Sequence, residues 1–302
     1  MRWIALAFVA LMAALWLNAC GGPTPLSDQP PAAGRQIEHA MGTTQVPDSP
    51  QRVITLDYSA LEGVLALGLT PVGTVLNGGL TAQPPHLQPY LSGVETIGSP
   101  TQPNLEKILA LKPDLILGSR AWAEGVYSAL TPIAPTVFTA DINENWKTDF
   151  QFYAEALNRP EQAAAAMAAY QQRLDEIRQP LRPLTVSVVR VLPGSLRLYL
   201  KTSFIGQIIA DVGLSRPPAQ DKALYSQEIS QEQLALADGD VIFAMTIGSD
   251  EVDALAELMD TPLWQQLQAV RNDRLYPVGD HWLGPGLLSA QAVLDDLAEK
   301  LP

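Results

Sequence analysis

The stretch Asn104-Leu-Glu-Lys-Ile-Leu-Ala-Leu-Lys-Pro-Asp-Leu-Ile-Leu-Gly118 decides the fold, because the chain contains it twice. Ser230-Gln-Glu-Gln-Leu-Ala-Leu-Ala-Asp-Gly-Asp-Val-Ile-Phe-Ala244 follows the same grammar in the second half. Each copy opens on a helix N-cap residue, Asn104 or Ser230, with a Glu two positions later, Glu106 or Glu232. An apolar helix follows, then a Lys-Pro-Asp or Asp-Gly-Asp turn, then an apolar strand, Leu115–Leu117 or Val241–Phe243. In both copies the Glu precedes the strand-leading Asp, Asp114 or Asp240, by eight residues. One unit of helix, turn and strand, used in each half, argues for two similar lobes.

Around the first copy, strands alternate with helices. Arg52-Val-Ile-Thr-Leu56 is an apolar strand, Ala60–Leu67 a helix stopped by Gly68, and Thr70–Val75 the next strand. A small hairpin over Gln36–Met41 and Gln45–Pro47 precedes them. Alternation of this kind predicts an α/β fold with mainly parallel sheets. Ligands then sit beyond the carboxyl ends of the strands. In the first lobe that rule nominates Tyr58, Asn77, Ser99, Arg120 and Trp122. Arg120 and Trp122 pair a guanidinium with an indole two residues on, a surface for an anionic or aromatic ligand; the plainer reading is a surface Arg and a packed Trp.

Trp146, Phe150, Tyr153 and Leu157 form a helical stripe, broken at Asn158-Arg-Pro160 and resumed through Ala163, Met167, Tyr170, Leu174 and Ile177. A helix of that length spans ~27 Å. It falls where a flexible hinge between lobes would otherwise lie. The second lobe begins with Leu184–Leu192, turns at Pro193-Gly-Ser195 into Arg197–Leu200, and closes with a helix over Leu287–Leu301. Its carboxyl-end positions are Arg190, Lys201, Met245 and Trp282, with Tyr225 in a long loop.

The remaining boundaries follow from composition. A chain of 302 residues holds two domains of ordinary size, and 47% apolar with 17% charged residues describes a folded protein. The net charge of −13 argues against a nucleic-acid partner. Residues 1–19 read as a signal peptide: Arg2, an uncharged run from Trp3 to Leu17, and Leu17-Asn-Ala-Cys20 at the end. Cys20 is the chain's one cysteine, so no intramolecular disulfide forms. Its setting resembles a lipobox, with Asn18 larger than usual; the alternative is a plain leader with an incidental Cys. Residues 20–36, rich in proline, read as a lipidated Cys and an extended tether reaching on the order of 50 Å at ~3.1 Å per residue. The predicted divisions are then a first lobe at 37–144, a connecting helix at 145–180 and a second lobe at 181–302.

Taken together, Gly42-Thr-Thr, Val46-Pro, Arg52-Val, Leu67-Gly-Leu, Pro71-Val-Gly73, Ile97-Gly and Pro103-Asn-Leu-Glu with Leu111-Lys-Pro-Asp-Leu-Ile116 resemble the iron-siderophore substrate-binding proteins of ABC importers. Arg197-Leu-Tyr, Asp211-Val-Gly-Leu214, Glu232-Gln-Leu, Leu275-Tyr-Pro-Val278 and Trp282 extend the likeness through the second half. The resemblance covers Gln36 to Leu301. It implies two Rossmann-like lobes joined by one long α-helix, with the ligand in the cleft between them. It also implies that Glu106 and Glu232 dock onto arginines of a permease dimer; the alternative is that each merely complements a helix dipole.

A ferric siderophore carries its iron already wrapped, so the resemblance implies no cofactor and no metal ligands from the protein. The expected contacts are Tyr58, Arg120, Trp122, Arg190, Lys201, Met245 and Trp282, with Arg197 ranked lower. The expected partners are the chelate, the permease and, through Cys20, the outer face of a membrane, with the protein acting as a monomer. A cobalamin or haem binder of the same architecture is the rival reading, with His281, Tyr58 or Tyr225 as an axial ligand. Free zinc or manganese lacks a His cluster. An enzyme finds no G-x-S-x-G, G-x-G-x-x-G or P-loop, and Asp57, Asp141 and His281 form no motif.

Overall fold

The computed structural model of the protein describes residues 34–78, 83–140, 145–178 and 183–301. The leader, Cys20, most of the tether and Asp141 lie outside the described residues. A hairpin of β1 (Gly34–His39) and β2 (Gly42–Pro47) comes first. The strand starts two residues before the tether was expected to end. Arg35 accounts for this: its guanidinium donates to the carbonyls of Glu155 (2.5 Å) and Ala156 (2.9 Å), at the carboxyl end of a helix in the connector.

The first lobe is a five-stranded sheet in the order β5-β4-β3-β8-β9. Its strands are β3 (Val53–Thr55), β4 (Gly73–Thr74), β5 (Glu95–Thr96), β8 (Leu115–Ser119) and β9 (Thr136–Thr139). Every pairing in it is parallel. A two-residue ladder of β6 (Gly98–Ser99) with β7 (Gln102–Pro103) leads into the opening motif. All residues of β3, β8 and β9 are buried, as continuous apolar strands in a sheet covered on both faces must be. Helix α1 (Tyr58–Ala66) follows β3, and α2 (Leu105–Ala110) precedes β8. Gly63 lets α1 press against the connector, since a Cβ there would stand 2.5 Å from the Tyr153 ring.

The repeated motif has a structural cause. The Asn104 side chain accepts the Lys107 N–H at 2.9 Å, Ile108 turns inward and Glu106 outward. Lys112 takes the left-handed conformation (φ 47°) that turns the chain. The Asp114 carboxylate then receives the N–H groups of Gln51 and Arg52, both at 2.8 Å, where β3 begins. In the second lobe Asp240 accepts the Thr185 N–H (2.8 Å) and hydroxyl (2.7 Å), where the next strand begins. Each Asp therefore sets the register of the two parallel strands at the centre of its own sheet. The second copy departs from the first in its helix. Gln231–Ala237 is 3-10 helix with a break at Gln233, whose side chain accepts the Ser230 N–H (3.2 Å) in a capping box. Gln233 takes the box position, which leaves Glu232 exposed.

The second sheet runs β12-β11-β10-β13-β14, formed by β10 (Val186–Leu192), β11 (Ser195–Tyr199), β12 (Ser226–Ser230), β13 (Val241–Met245) and β14 (Leu275–Val278). β10, β13 and β14 are parallel; the hairpin through Gly194 (φ 83°) adds β11 antiparallel to β10, and β12 pairs antiparallel with β11 at the edge. Between the sheets lie α3 (Trp146–Ala156) and α4 (Pro160–Arg178), separated at Asn158 (φ 54°) as the broken stripe predicts. The 19 residues of α4 span ~28 Å. Trp146 of α3 packs edge-on to Tyr170 of α4 (5.3 Å between centroids) and against Phe204 of α5 (Phe204–Val212), in the second lobe. The carboxylate of Asp211 on α5 accepts from Lys147 of α3 (2.5 Å) and from the Tyr170 hydroxyl (2.8 Å). The closing helix α7 (Leu287–Lys300) returns to pack on α1 and α4, and α6 (Ser249–Met259) follows β13. One continuous apolar core joins Val53 and Leu115 of the first sheet, the connector, and Val186 and Val241 of the second.

Candidate functional site: a cavity between the lobes

A cavity of 680 Å³ opens at the carboxyl ends of the two sheets. The first lobe contributes Asp57 to Glu62 at the head of α1, Asn77 and Gln83 from the loop after β4, and Trp122 after β8. The second contributes Arg190 of β10, Ile247 after β13, and the segment from Asp280 to Ser289 after β14.

Tyr58 is presented by the cap of its own helix. Asp57 Oδ1 accepts the Ala60 N–H at 2.8 Å, which fixes the start of α1. The Tyr58 hydroxyl donates to Gln83 Oε1 (2.8 Å) and accepts from Asn77 N–H (3.1 Å), while Gln83 Nε2 returns to the Asn77 carbonyl (2.8 Å). The Tyr58 hydroxyl is thereby committed to the loop. Behind this wall Asp57 is buried, and burial pushes its carboxyl above the ordinary range against the hydrogen bonds that favour the charged form. Among the described residues its Oδ2 has no partner at good hydrogen-bonding geometry, and neither do the buried hydroxyl oxygens of Ser119, Thr139 and Tyr153.

Glu62, 1% exposed, joins α1 to the first turn of α7. It accepts from the Ser289 N–H (2.8 Å) and hydroxyl (2.5 Å), a carboxylate at a helix N-terminus. A Cβ at Gly286 would stand 2.7 Å from Glu62 Cβ, so the approach needs glycine. His86 Nε2 lies 3.1 Å from Ser289 Oγ, and its ring is 5.9 Å from that of His281. His281 Nε2 and Trp282 Nε1 both contact Asp296 Oδ2 at 2.7 Å. Burial works to raise the Asp296 carboxyl, and the bonds from His281 and Trp282 together with the nearby Lys300 charge hold it below the ordinary range.

Arg190 meets Glu251 in a fork: Nε lies 3.1 Å from both carboxylate oxygens and Nη2 2.6 Å from Oε1. Glu251 also accepts the Ile247 N–H at 2.7 Å, which sets the loop carrying Ile247 into the cavity. The bond to Glu251 holds the guanidinium above its ordinary value, against desolvation.

A family model described as periplasmic binding protein matches residues 53–281, most of the chain. The chain belongs to the periplasmic binding protein family. It is 33% identical over 316 residues to a probable siderophore-binding lipoprotein, YfiY, of Bacillus subtilis (98% of this chain, 97% of the relative). It is 34% identical to the achromobactin-binding periplasmic protein of Dickeya dadantii over 82% of this chain and 86% of that one. Among solved structures, Staphylococcus aureus SirA complexed with staphyloferrin B superposes with a TM-score of 0.78 at 29% identity, covering 88% of this chain and 98% of that one. The matched relatives are binding proteins.

Within this family fold, the sequence-nominated residues separate. Tyr58, Trp122 and Arg190 line the cavity, as does Asn77. Arg120, half-buried, stands at the head of a short helix, Arg120–Ala123, and is not part of the lining. Lys201 is exposed and pairs with Asp221 (2.7 Å) away from the cavity. Met245 and Trp282 have to be removed from the contact set, both being 0% exposed. Met245 ends a central strand flanked by β10 and β14, and the Trp282 ring stacks on Phe243 at 4.3 Å. Their carboxyl-end positions were legible, but not the inward direction of their side chains. Tyr225, one of the axial-ligand candidates, packs on Tyr199 outside the lining, and His281 and Tyr58 already have partners. Sequence reasoning missed Glu62, His86, Glu251 and Ser289. A Glu inside the otherwise apolar run Ala60–Leu67 is a signal for the first; Glu251 looks like any other acid of Asp250–Asp253. Among the described residues no three His, Cys, Asp or Glu gather as metal ligands, and no helix is long and apolar enough to cross a membrane.

Proposed function

We propose that the protein captures a ferric siderophore in the cavity between its lobes and passes it to the permease of an ABC importer. The observation that carries this reading is the cavity itself: 680 Å³ of space between two lobes with a common core, walled by Tyr58, Trp122 and Arg190. Relatives with matching length bind siderophores by name, among them the achromobactin-binding protein and the staphyloferrin B complex. The site belongs outside the cytoplasm, with Cys20 as the lipid attachment point and the proline-rich segment as tether. Glu106 and Glu232, exposed at matched places on the two lobes, are the docking contacts.

Intrinsic fluorescence tests the binding step. Trp122 is 45% exposed on the cavity, whereas Trp146, Trp264 and Trp282 are buried. A ferric siderophore of the right class is expected to quench stoichiometrically, its iron-free form far less, and Trp122→Phe is expected to remove a large share of the response. If no ferric siderophore in a panel spanning hydroxamates, catecholates and citrate types quenches or binds, the reading is wrong. Loss of lipid incorporation on Cys20→Ala tests the anchor.

A further inference from the structure

Arg190 is the one Arg or Lys side chain among the described lining residues, which also include Asp57, Glu62 and Asp280. Its charge is already matched, because Glu251 holds it in a fork with contacts of 2.6–3.1 Å. Lys201, expected in the cleft, is spent on Asp221, and Arg120 lies outside the lining. The nearby histidines are likewise already engaged with carboxylates, His281 with Asp296 and His86 with Glu62 through Ser289. Gly79 to Ala82, undescribed in the structure, contain no ionisable side chain.

We propose that this cavity selects ferric chelates of near-zero net charge over strongly anionic ones, and that Glu251 sets the selection by cancelling Arg190. The inference rests on the ferric siderophore reading and narrows its substrate class. Charge arithmetic separates the candidates. Three hydroxamates cancel the charge of ferric iron; two hydroxamates with one doubly ionised α-hydroxycarboxylate leave a single negative charge; three catecholates leave three. The fork explains how an arginine serves a weakly charged ligand. Guanidinium N–H groups not turned to Glu251 remain able to donate hydrogen bonds, while the long-range field of the pair is close to that of a dipole. An unpaired arginine in the same wall would instead favour the triply negative complex.

The test is a titration of the wild-type protein and Glu251→Gln by tryptophan quenching with a ferric trihydroxamate, a ferric dihydroxamate α-hydroxycarboxylate and a ferric tris-catecholate. It is run at about 10 mM and about 150 mM salt, where screening lengths differ threefold or more. For the wild type, the two weakly charged complexes are expected to bind at least about tenfold tighter than the tris-catecholate at low salt. Raising the salt is expected to improve tris-catecholate binding and to leave trihydroxamate binding nearly flat. Glu251→Gln removes the charge and keeps the shape, and is expected to narrow the preference by on the order of tenfold. A wild-type preference for the tris-catecholate at low salt overturns the proposal, as does a preference that Glu251→Gln leaves unaltered. Should the variant fail to fold, the wild-type salt series still decides: tris-catecholate affinity that falls with salt overturns the proposal. Binding of none of the complexes overturns the siderophore reading itself, a result distinct from binding of the wrong one.

Discussion

Glu62 and Asp57 stand five residues apart at the wall of the cavity, and their buried carboxyls are treated differently by their surroundings. Glu62 is satisfied by Ser289 through two bonds, so Glu62→Ala leaves a donor pair and a void at the α1–α7 contact. The expected cost is about 2–4 kcal/mol, read as a lower midpoint in denaturant, with Glu62→Gln costing less. Asp57 is the opposite case. Burial raises its folded pKa above the unfolded value, so its protonated form suits the fold. Its favourable contribution is complete below the unfolded pKa and is lost as pH rises through the folded one. Asp57→Asn keeps an N-cap acceptor and carries no charge, so it is expected to raise stability relative to wild type at neutral pH. The gain should shrink as pH falls toward about 4, where the wild-type carboxyl protonates even when unfolded. A pair of thermal melts at the two pH values checks the sign; a variant less stable than wild type at neutral pH contradicts it.

At the scale of elements, the paired aspartates make the clearest case for what the sequence can carry. Asp114 and Asp240 each tie a turn to the start of the neighbouring parallel strand. Hydrogen bonds with Thr185 hold the Asp240 carboxyl below the ordinary range. Its stabilising contribution is therefore present above the unfolded pKa and lost as pH falls through the folded one. Asp240→Ala is expected to cost roughly 1–2 kcal/mol at pH 7 and progressively less in acid, measured by urea unfolding. The connector yields a larger effect. Trp146→Ala removes the ring that joins Tyr170 and Phe204 and is expected to cost about 3–5 kcal/mol by the same measurement. The repeated motif and the helical stripe were legible because each is local, a cap, a turn and a periodicity among neighbouring residues; the bonds from Asp114 to Gln51 and from Asp240 to Thr185, 63 and 55 residues apart, were not. The parallel sheets and the break at Asn158 could be read for the same reason. The lining of the cavity was not. Arg190 and Glu251 are separated by 61 residues and Glu62 and Ser289 by 227, and spacing in sequence says nothing about such pairs. The carboxyl-end rule leads to the neighbourhood of the cavity, and it also admits Met245 and Trp282, whose side chains are buried.

For the whole molecule, two surfaces are held by one framework. The connector helices, α5 and the returning α7 share a core with both sheets, so the separation of the two lobes is set by packed helices rather than by a hinge. Exposed carboxylates at Glu106 and Glu232 therefore sit at a fixed spacing, the condition under which two docking contacts act together. Neither residue lines the cavity, so a variant at either should separate delivery from capture. Glu106→Ala with Glu232→Ala is expected to abolish uptake of the ferric siderophore while its affinity in solution stays at the wild-type value. Each single variant is expected to weaken permease binding by about tenfold or more, the size of one charge-assisted contact. The double variant should lose more than either single one, because the second contact forms at the effective concentration set by the first. Rising salt should weaken the wild-type complex and have little effect on the double variant. The decisive measurement is binding to the permease in lipid nanodiscs alongside quenching by ligand. Equal loss in both assays would mean that these carboxylates serve folding, and unimpaired permease binding by the double variant would move the docking surface elsewhere on the molecule.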